Sequence, residues 1–258
     1  MLAVLSPAKT LDYENPLPAH PPTHKPPLLD HSTRLVEELQ QYPQEALQKL
    51  MDISPKLAVL NQERFEEWHS DASETRGRPA LLAFQGDVYQ GLDAKSLSRE
   101  ALAYADGHLR ILSGLYGILR PMDLMQPYRL EMGTKLSING HKNLYEYWSA
   151  TITQRLNEEI EAQPANEERI LVNLASNEYF KAVNTDELDE LVVDVDFKEM
   201  RDGKLKTIAL YAKKARGMMA RFIVEHQLTR AEDLKAFDLE GYQFAPQYSY
   251  DDYMVFVR

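Results

Sequence analysis

Two short apolar runs, each ending abruptly in polar residues, constrain the fold of this chain most strongly. Leu2–Leu5 leads into the polar segment 6–10, and Ile170–Leu174 leads into the polar segment 175–178. Compact apolar runs of this length, bounded by polar or turn residues, are typical of buried strands. We therefore predict two buried strands that each open into a polar loop.

Helical patterns fill much of the remaining chain, which predicts an α/β fold. Ser54-Pro55 is a typical N-cap followed by proline at the first helical position, and Asn143 is positioned to cap a helix with a long apolar stripe. Ser98–Leu119 is predicted to be one further helix. We expect a single domain over residues 1–258, with a mixed central sheet surrounded by helices.

Alternation and turn residues predict two hairpins. Residues 193–197 alternate between apolar and acidic side chains, a turn is predicted at 201–203, and the apolar residues of 208–210 are predicted to form the returning strand. Asp194 and Asp196 of the first strand are then expected to lie on its solvent-exposed face. Residues 241–258 are predicted to form the second hairpin. The prolines between residues 16 and 27 prevent a helix there and predict an extended strap across the fold.

Charge and composition limit the function. The chain has 258 residues, a formal net charge of −11 and no cysteine. Disulfides, thiolate zinc sites, iron–sulfur clusters and thiol peroxidase chemistry are therefore excluded, and a cytoplasmic location fits. The first apolar run is too short for a signal peptide or a membrane span. Because acidic surface repels phosphate, any contact with nucleic acid must come from a local basic patch.

Three predicted strand ends carry polar side chains that could meet in one place. They are Ser6 and Lys9 after the first strand, Ser176, Glu178 and Lys181 after the second, and Tyr211, Lys213 and Lys214 after the third. In open α/β sheets, ligands bind outside the carboxyl ends of the strands. The coincidence of three such ends predicts one locally basic cleft, whereas each end alone is explained by contact with water.

The densest basic stretch of the chain supports this cleft. It contains Arg201, Lys204, Lys206, Lys213, Lys214, Arg216 and Arg221. Such a run is often only a solvated face. A helix is predicted from Ala212, and Gly217 within it costs about 1 kcal/mol relative to alanine. We therefore expect another backbone or a ligand to approach closely at Gly217.

Two glycine-bearing segments are further candidates. The segment from Gly114 to Gly117, between two apolar segments predicted as helical, matches loosely the turn of a helix-hairpin-helix, in which backbone N–H groups approach a DNA phosphate. The glycines could equally allow tight packing. Residues 84–92 carry Asp87 and Tyr89 and are interpreted as a structural turn, because they lack the features of a phosphate loop or a dinucleotide fingerprint.

No catalytic or metal-binding motif is recognisable. The seven histidines show no ligand spacing. No serine stands in the context of a nucleophile elbow. We therefore expect no metal and no cofactor.

Six segments, taken together, carry a resemblance. They are Ser6–Leu11, Phe84–Leu92, Ser113–Pro121, Gln126–Gly133, Asn173–Tyr179 and Tyr211–Gly217. In this order and over essentially the whole chain, they resemble the YaaA family of bacterial peroxide-stress proteins. The resemblance implies a cytosolic protein of the hydrogen-peroxide response that limits oxidative damage to DNA and is linked to intracellular iron control. It also implies a positively charged cleft, a helix-hairpin-helix element, and binding to duplex and branched DNA.

The resemblance also assigns candidate residues. The hairpin element falls on Gly114, Tyr116 and Gly117, and the cleft takes Lys9, Arg120, Arg129, Lys181, Lys213, Lys214 and Arg216. We expect DNA binding without strong sequence specificity. The alternative is an enzyme acting on a small anionic or nucleobase-like ligand in the same cleft, with Ser6, Lys9, Asp87, Tyr89, Glu178 and Lys213 as candidates, since their chemistry is more diverse than phosphate binding requires. A role in sequestering iron is the weakest hypothesis, because no ligand cluster is visible.

Overall fold

The computed structural model describes residues 1–258 as a central mixed sheet with helices around it. The strands are β1 (Leu2–Leu5), β2 (Thr10–Leu11), β3 (Arg78–Pro79), β4 (Phe84–Gln85), β5 (Leu109–Ser113), β6 (Gly117–Leu119), β7 (Leu124–Met125), β8 (Ile170–Leu174), β9 (Leu191–Arg201), β10 (Lys204–Lys206), β11 (Gln243–Phe244) and β12 (Tyr253–Val257). The helices are α1 (Leu29–Leu39), α2 (Gln44–Met51), α3 (Pro55–Glu66), α4 (Ala80–Ala83), α5 (Asp87–Leu92), α6 (Arg99–His108), α7 (Leu144–Glu161), α8 (Asn177–Phe180) and α9 (Ala209–Glu225).

The sheet has parallel strands at its centre and antiparallel strands at its edges. Its order is β11-β12-β9-β8-β1-β5-β6, and β10 pairs with the far end of β9. The five strands from β12 to β5 are mutually parallel, whereas β6, β10 and β11 pair antiparallel to their neighbours. The expected α/β fold with a mixed central sheet is confirmed.

The apolar runs form the centre of the sheet, as predicted. Every residue of β1 and β8 is buried, and β1 lies between β5 and β8. The buried hydrophobic side chains of strands and helices form one continuous core, as expected of a single domain.

Several predicted local features are also confirmed. The Ser54 hydroxyl accepts from the Leu57 amide at 3.4 Å, and the Asn143 side chain accepts from the Glu146 amide at 3.0 Å. These contacts satisfy N–H groups that have no partner within the helix. The hairpin of β9 and β10 turns at Asp202 and Gly203, and both residues have positive φ.

The predicted helix over Ser98–Leu119 is wrong in its second half. The helix ends at His108, and Leu109–Ser113 continues as β5. The spacing of apolar residues there fits both a helix and a fully buried strand. Pairing with β1 decides between them, because Leu109 and Ile111 lie in register with Ala3 and Leu5.

The second strand of the β9 hairpin is shorter than predicted. Only Lys204–Lys206 pair with β9, and α9 begins at Ala209, so the expected strand over residues 208–210 is not formed. Leu210 is 56% exposed. An apolar alternation without a partner strand has no hydrogen bonds to hold it extended.

Helices α5 and α9 pack with almost no space between their backbones. A Cβ atom on Gly217 would lie 1.7 Å from the carbonyl oxygen of Val88, and one on Gly91 would lie 2.0 Å from that of Lys214. The expected close approach of a backbone at Gly217 is confirmed. This contact sets the position of both helices at the carboxyl end of the sheet.

Candidate functional site

A cleft opens at the carboxyl ends of β1 and β8. Its inner part, the inner cleft, is a cavity of about 260 Å³ between the loop after β1, the start of α5, and α9. The polar and charged residues that line it are Ser6, Lys9, Thr10, Gln85, Asp87, Tyr89, Glu131, Ser176, Glu178, Tyr179, Lys213 and Arg216. The site therefore lies where ligands of open α/β sheets usually bind.

Parallel pairing brings two serines together at the base of the inner cleft. Leu5 and Leu174 are register partners at the ends of β1 and β8. Just beyond them, the Ser6 hydroxyl accepts from the Ser176 amide at 2.8 Å and lies 3.2 Å from the Ser176 hydroxyl. Two of the three predicted polar segments thus converge as expected. The third, with Lys213, reaches the cleft on α9 and not on a strand end.

The contact of α5 with α9 places one acidic and two basic side chains on the wall of the inner cleft. Asp87 begins α5, and Lys213 and Arg216 are one turn apart on α9. Lys213 is exposed. The buried Nε atom of Arg216 has no hydrogen-bond partner, burial lowers the pKa of this side chain, and the carboxylate of Asp196 acts in the opposite direction. A buried guanidinium N–H without a partner is a donor available to an anionic ligand.

Tyr89 holds the end of β1 in place. Its hydroxyl donates to the Ser6 carbonyl oxygen at 3.0 Å. Burial raises the pKa of Tyr89 well above the ordinary value of a tyrosine. The phenol therefore stays protonated at neutral pH, which suits positioning of the Ser6 backbone better than proton transfer.

One carboxylate joins two cations at the mouth of the inner cleft. Glu131 lies 2.6 Å from Lys9 Nζ through one oxygen and 2.9 Å from Arg129 Nη2 through the other. Nearby, a Glu178 oxygen accepts from the Gly133 amide at 3.2 Å. These contacts fix the orientation of the side chains between the inner cleft and its continuation.

The continuation, which we call the outer cleft, is a more open cavity of about 570 Å³ that shares Lys9, Glu131 and Glu178 with the inner one. Its further charged residues are Lys49, Asp52, Arg129 and Lys135. Together the two parts are lined by six cationic side chains and four carboxylates. The balance of charge here is opposite to that of the whole chain, whose formal net charge is −11.

Three predicted cationic residues do not line the cleft. Arg120 pairs with Asp123 at 2.8 Å, and Lys214 pairs with Glu240 at 2.5 Å. Lys181 is exposed just after α8. Of the residues predicted for DNA contact, the structure therefore brings Lys9, Arg129, Lys213 and Arg216 together.

The predicted helix-hairpin-helix at Gly114–Gly117 is wrong. These residues are the turn between antiparallel β5 and β6, with Ser113 in register with Gly117. The turn is buried: a Cβ atom on Gly114 would lie 2.2 Å from the Leu130 carbonyl oxygen, and one on Gly117 would lie 2.7 Å from the Trp148 ring. The glycines serve tight packing, the alternative left open by the sequence.

Tyr116, in the same turn, is a buried structural residue. It is 1% exposed, and its hydroxyl accepts from Trp68 Nε1 and from the Gln126 amide, both at 2.9 Å. Its side chain therefore contacts the core and not the solvent-exposed surface.

Sequence reasoning missed Lys49 and Lys135 in the outer cleft. Lys49 lies on α2, and Lys135 lies in the loop between β7 and α7. Neither belongs to a local motif, and only the packing of their segments brings them together. No signal in the linear sequence identifies them.

No group of three or more His, Cys, Asp or Glu side chains is arranged to hold a metal ion. None of the helices is both long and apolar enough to cross a membrane.

The fold and the cleft define a single-domain α/β protein with a polar site, lined by side chains of both charges, at the carboxyl edge of a mixed sheet. The model of the family described as peroxide stress protein YaaA matches residues 1–248. The chain belongs to this family.

Full-length relatives agree with this assignment. A UPF0246 protein of Idiomarina loihiensis is 54% identical over all of this chain and 98% of its own length. Similar proteins of Aliivibrio fischeri and Psychromonas ingrahamii are 51% and 52% identical over all of this chain, and over 98% and 99% of their own lengths.

Proposed function

We propose that this protein acts in the response to hydrogen peroxide by binding double-stranded and branched DNA in the cleft, without strong sequence specificity. In this way it would limit oxidative damage to DNA. The link to peroxide comes from the family, and the proposed link to intracellular iron control rests on the same resemblance. The proposed location is the cytoplasm.

The observation that carries the proposal is the local excess of cations in the cleft. Six basic side chains line it in a chain that is otherwise strongly acidic. Lys9, Arg129, Lys213 and Arg216 are of the type that contacts phosphate oxygens, which carry no sequence information. The acidic remainder of the surface would restrict DNA to this face, because like charges repel.

The experiment that tests this function is a titration of DNA at several salt concentrations. Fluorescence anisotropy with a mixed-sequence duplex and with a four-way junction should show binding whose log K falls linearly with log salt, by about 0.9 for each phosphate contact. A second duplex of unrelated sequence should bind equally well. Absence of binding at low salt, or affinity independent of salt, would overturn the proposal.

The second candidate function is the binding or conversion of a small anionic or nucleobase-like ligand in the inner cleft. A cavity of about 260 Å³ is too small to enclose a duplex, whose phosphates would reach only side chains at its mouth, but it suits a small molecule. The specific observation in its favour is the unpartnered Nε of Arg216, whose side chain lines the same cavity as Asp87, Lys213 and several hydroxyl groups. This mixture offers donors and acceptors for more than a phosphate.

Replacement of Ser6 or Asp87 separates the two functions. Ser6→Ala and Asp87→Asn remove no positive charge, so phosphate binding predicts unchanged affinity for DNA. Cells carrying either variant should then survive peroxide as the wild type does. Loss of protection with DNA binding intact would instead assign chemistry, or binding of a small ligand, to the inner cleft.

A further inference from the structure

A second polar depression, which we call the arginine groove, lies between α3 and the loop after β7. It is a cavity of about 390 Å³ lined by Arg64, Glu67, His69, Arg76, Gln126 and Pro127. None of these side chains is a core hydrophobic group. A groove of this composition is unsuited to an apolar ligand and offers mostly hydrogen-bond donors.

The two arginines of the groove have no carboxylate partner. The one side-chain hydrogen bond of Arg64 is a long contact of 3.4 Å from Nη1 to the side-chain oxygen Oδ1 of Asn61, and the side chain of Arg76 makes none. Glu67 lines the groove, but neither guanidinium lies within 4.0 Å of it. Arg64 is half-buried, whereas Arg76 is exposed. Keeping the guanidinium of Arg64 without a counter-ion costs free energy, because its charge is partly removed from water.

The surroundings of Arg64 increase this cost. Burial lowers the pKa of Arg64, the nearby positive charge of Arg129 lowers it further, and the phenol of Tyr13 acts in the opposite direction. Two guanidinium groups close enough to repel each other are stabilised when an anion binds between or beside them.

The groove is held in shape before any ligand binds. The His69 amide donates to the Gln126 side-chain oxygen at 3.1 Å, and Gln126 Nε2 donates back to the His69 carbonyl oxygen. Gln126 is 4% exposed. This double contact fixes the chain beyond α3 against the loop after β7, so binding requires little ordering of the backbone.

Arg129 connects the groove to the cleft. It lines the outer cleft two residues after Pro127, which lines the groove, and its positive charge lowers the pKa of Arg64. Its Nε atom is buried without a hydrogen-bond partner, while its Nη2 pairs with Glu131. Cationic groups therefore continue from the cleft, past Arg129, to Arg64 and Arg76.

We propose that the arginine groove is a second phosphate-binding subsite, in which Arg64 and Arg76 bind the backbone of the DNA that runs on from the cleft. The inference rests on the proposed function for its ligand. Arginine suits the role because its planar fork of N–H groups matches a phosphate and its charge is permanent.

The experiment compares two double variants that lose the same charge. Arg64→Ala with Arg76→Ala alters the groove, and Arg99→Ala with Arg169→Ala removes two exposed arginines elsewhere. Anisotropy titrations with a mixed-sequence duplex should give the groove variant a salt slope shallower by about 1.8, which is two contacts of about 0.9 each. The control variant should keep the wild-type slope.

A titration with pyrophosphate tests the groove without DNA. At low salt the groove variant should bind this probe at least about tenfold more weakly than the control, since hydrogen bonds between charged groups are lost. Arg76 is exposed, so Arg76→Ala alone should not impair folding. This single variant should also weaken the binding of DNA and of pyrophosphate, which keeps the inference testable if loss of Arg64 impairs folding.

The outcomes separate the inference from the proposed function. Wild-type protein that binds DNA, with groove and control variants of equal slope, would overturn the inference and leave the cleft proposal standing. If the wild-type protein binds no DNA, the proposed function and the inference about the groove are both wrong as stated. Pyrophosphate binding that is lost only in the groove variant would then assign the groove to free phosphate.

Discussion

Gly217 of α9 lies against the carbonyl oxygen of Val88 in α5, in a space that admits no side chain. A Cβ atom there would be 1.7 Å from that oxygen, and the atom in its way belongs to backbone. Because α5 carries Asp87 and α9 carries Lys213 and Arg216, this contact determines the width of the inner cleft.

Replacement of Gly217 by alanine should therefore destabilise the protein. We expect the free energy of unfolding to fall by at least about 1–3 kcal/mol, because the helices must separate. Urea unfolding measures the effect. The control is Gly107→Ala in α6, where no atom lies within 4 Å of the added methyl group. It should leave stability unchanged or raise it by up to about 1 kcal/mol, and equal losses in the two variants would contradict the argument.

Removal of the carboxylate of Glu159 should be costly. Glu159 pairs with Arg110, and both side chains are less than a tenth exposed. Glu159→Ala leaves the guanidinium buried without its counter-ion, so we expect a loss of about 3–5 kcal/mol in urea unfolding. The neighbouring Glu158→Ala removes an exposed partner of Arg155 and should cost no more than about 1 kcal/mol. A small loss in both variants would show that Arg110 finds other partners.

Asp12 makes the stability depend on pH. The hydrogen bond from Lys95 holds the pKa of Asp12 well below the ordinary value of an aspartate, helped by the amides of Asn15 and Glu14. A pKa that is lower in the folded state stabilises the fold above the unfolded pKa, and this stabilisation is lost as the pH falls.

Asp12→Asn should thus be less stable than wild type at neutral pH. The difference in free energy of unfolding should be constant down to about pH 5 and shrink as the pH falls through about 4 and below. Urea unfolding at a series of pH values measures it, with the exposed Asp71→Asn as control. A difference that grew at low pH would contradict the assigned sign.

Two adjacent lysines provide a matched test of DNA binding. Lys213 is exposed in the inner cleft, whereas Lys214 is tied to Glu240 outside it. Lys213→Ala should lower the affinity for DNA and reduce the salt slope by about 0.9, and Lys214→Ala should change neither strongly. Anisotropy at several salt concentrations measures both. Equal losses of affinity in the two variants would mean that DNA binding depends on the net charge of the protein and not on the cleft.

Local patterns were enough to predict the elements that they determine alone. Leu2–Leu5 and Ile170–Leu174 are buried strands because they are apolar except for Asn173, and Asn143 caps its helix because its side chain satisfies a free amide. The place of each strand in the sheet depends on contacts between distant segments. The sequence does not contain that information in readable form, which is why Leu109–Ser113 was predicted as helix.

Only part of the site could be predicted, because contacts between distant segments bring the rest of its residues together. Ser6, Lys9 and Lys213 follow or adjoin recognisable elements, so their meeting at one edge could be expected. Lys135 and the unpaired arginines of the groove become visible only after α2, α3 and the loops around β7 have packed. Gly114 and Gly117 led to the wrong prediction of a helix-hairpin-helix, because a tight β-turn and a phosphate-binding turn both require residues without a side chain.

The central position of β1 has a consequence for biosynthesis. Ala3 is in register with Leu109 on one side and with Val172 on the other, so both partners leave the ribosome long after it does. Until Leu109–Ser113 has been translated, both edges of this apolar strand are unpaired, and one edge stays accessible to other chains until Ile170–Leu174 follows. Such distant pairings also slow folding, because a long loop must close before they form. The nascent chain should therefore depend on chaperones until most of it has been made.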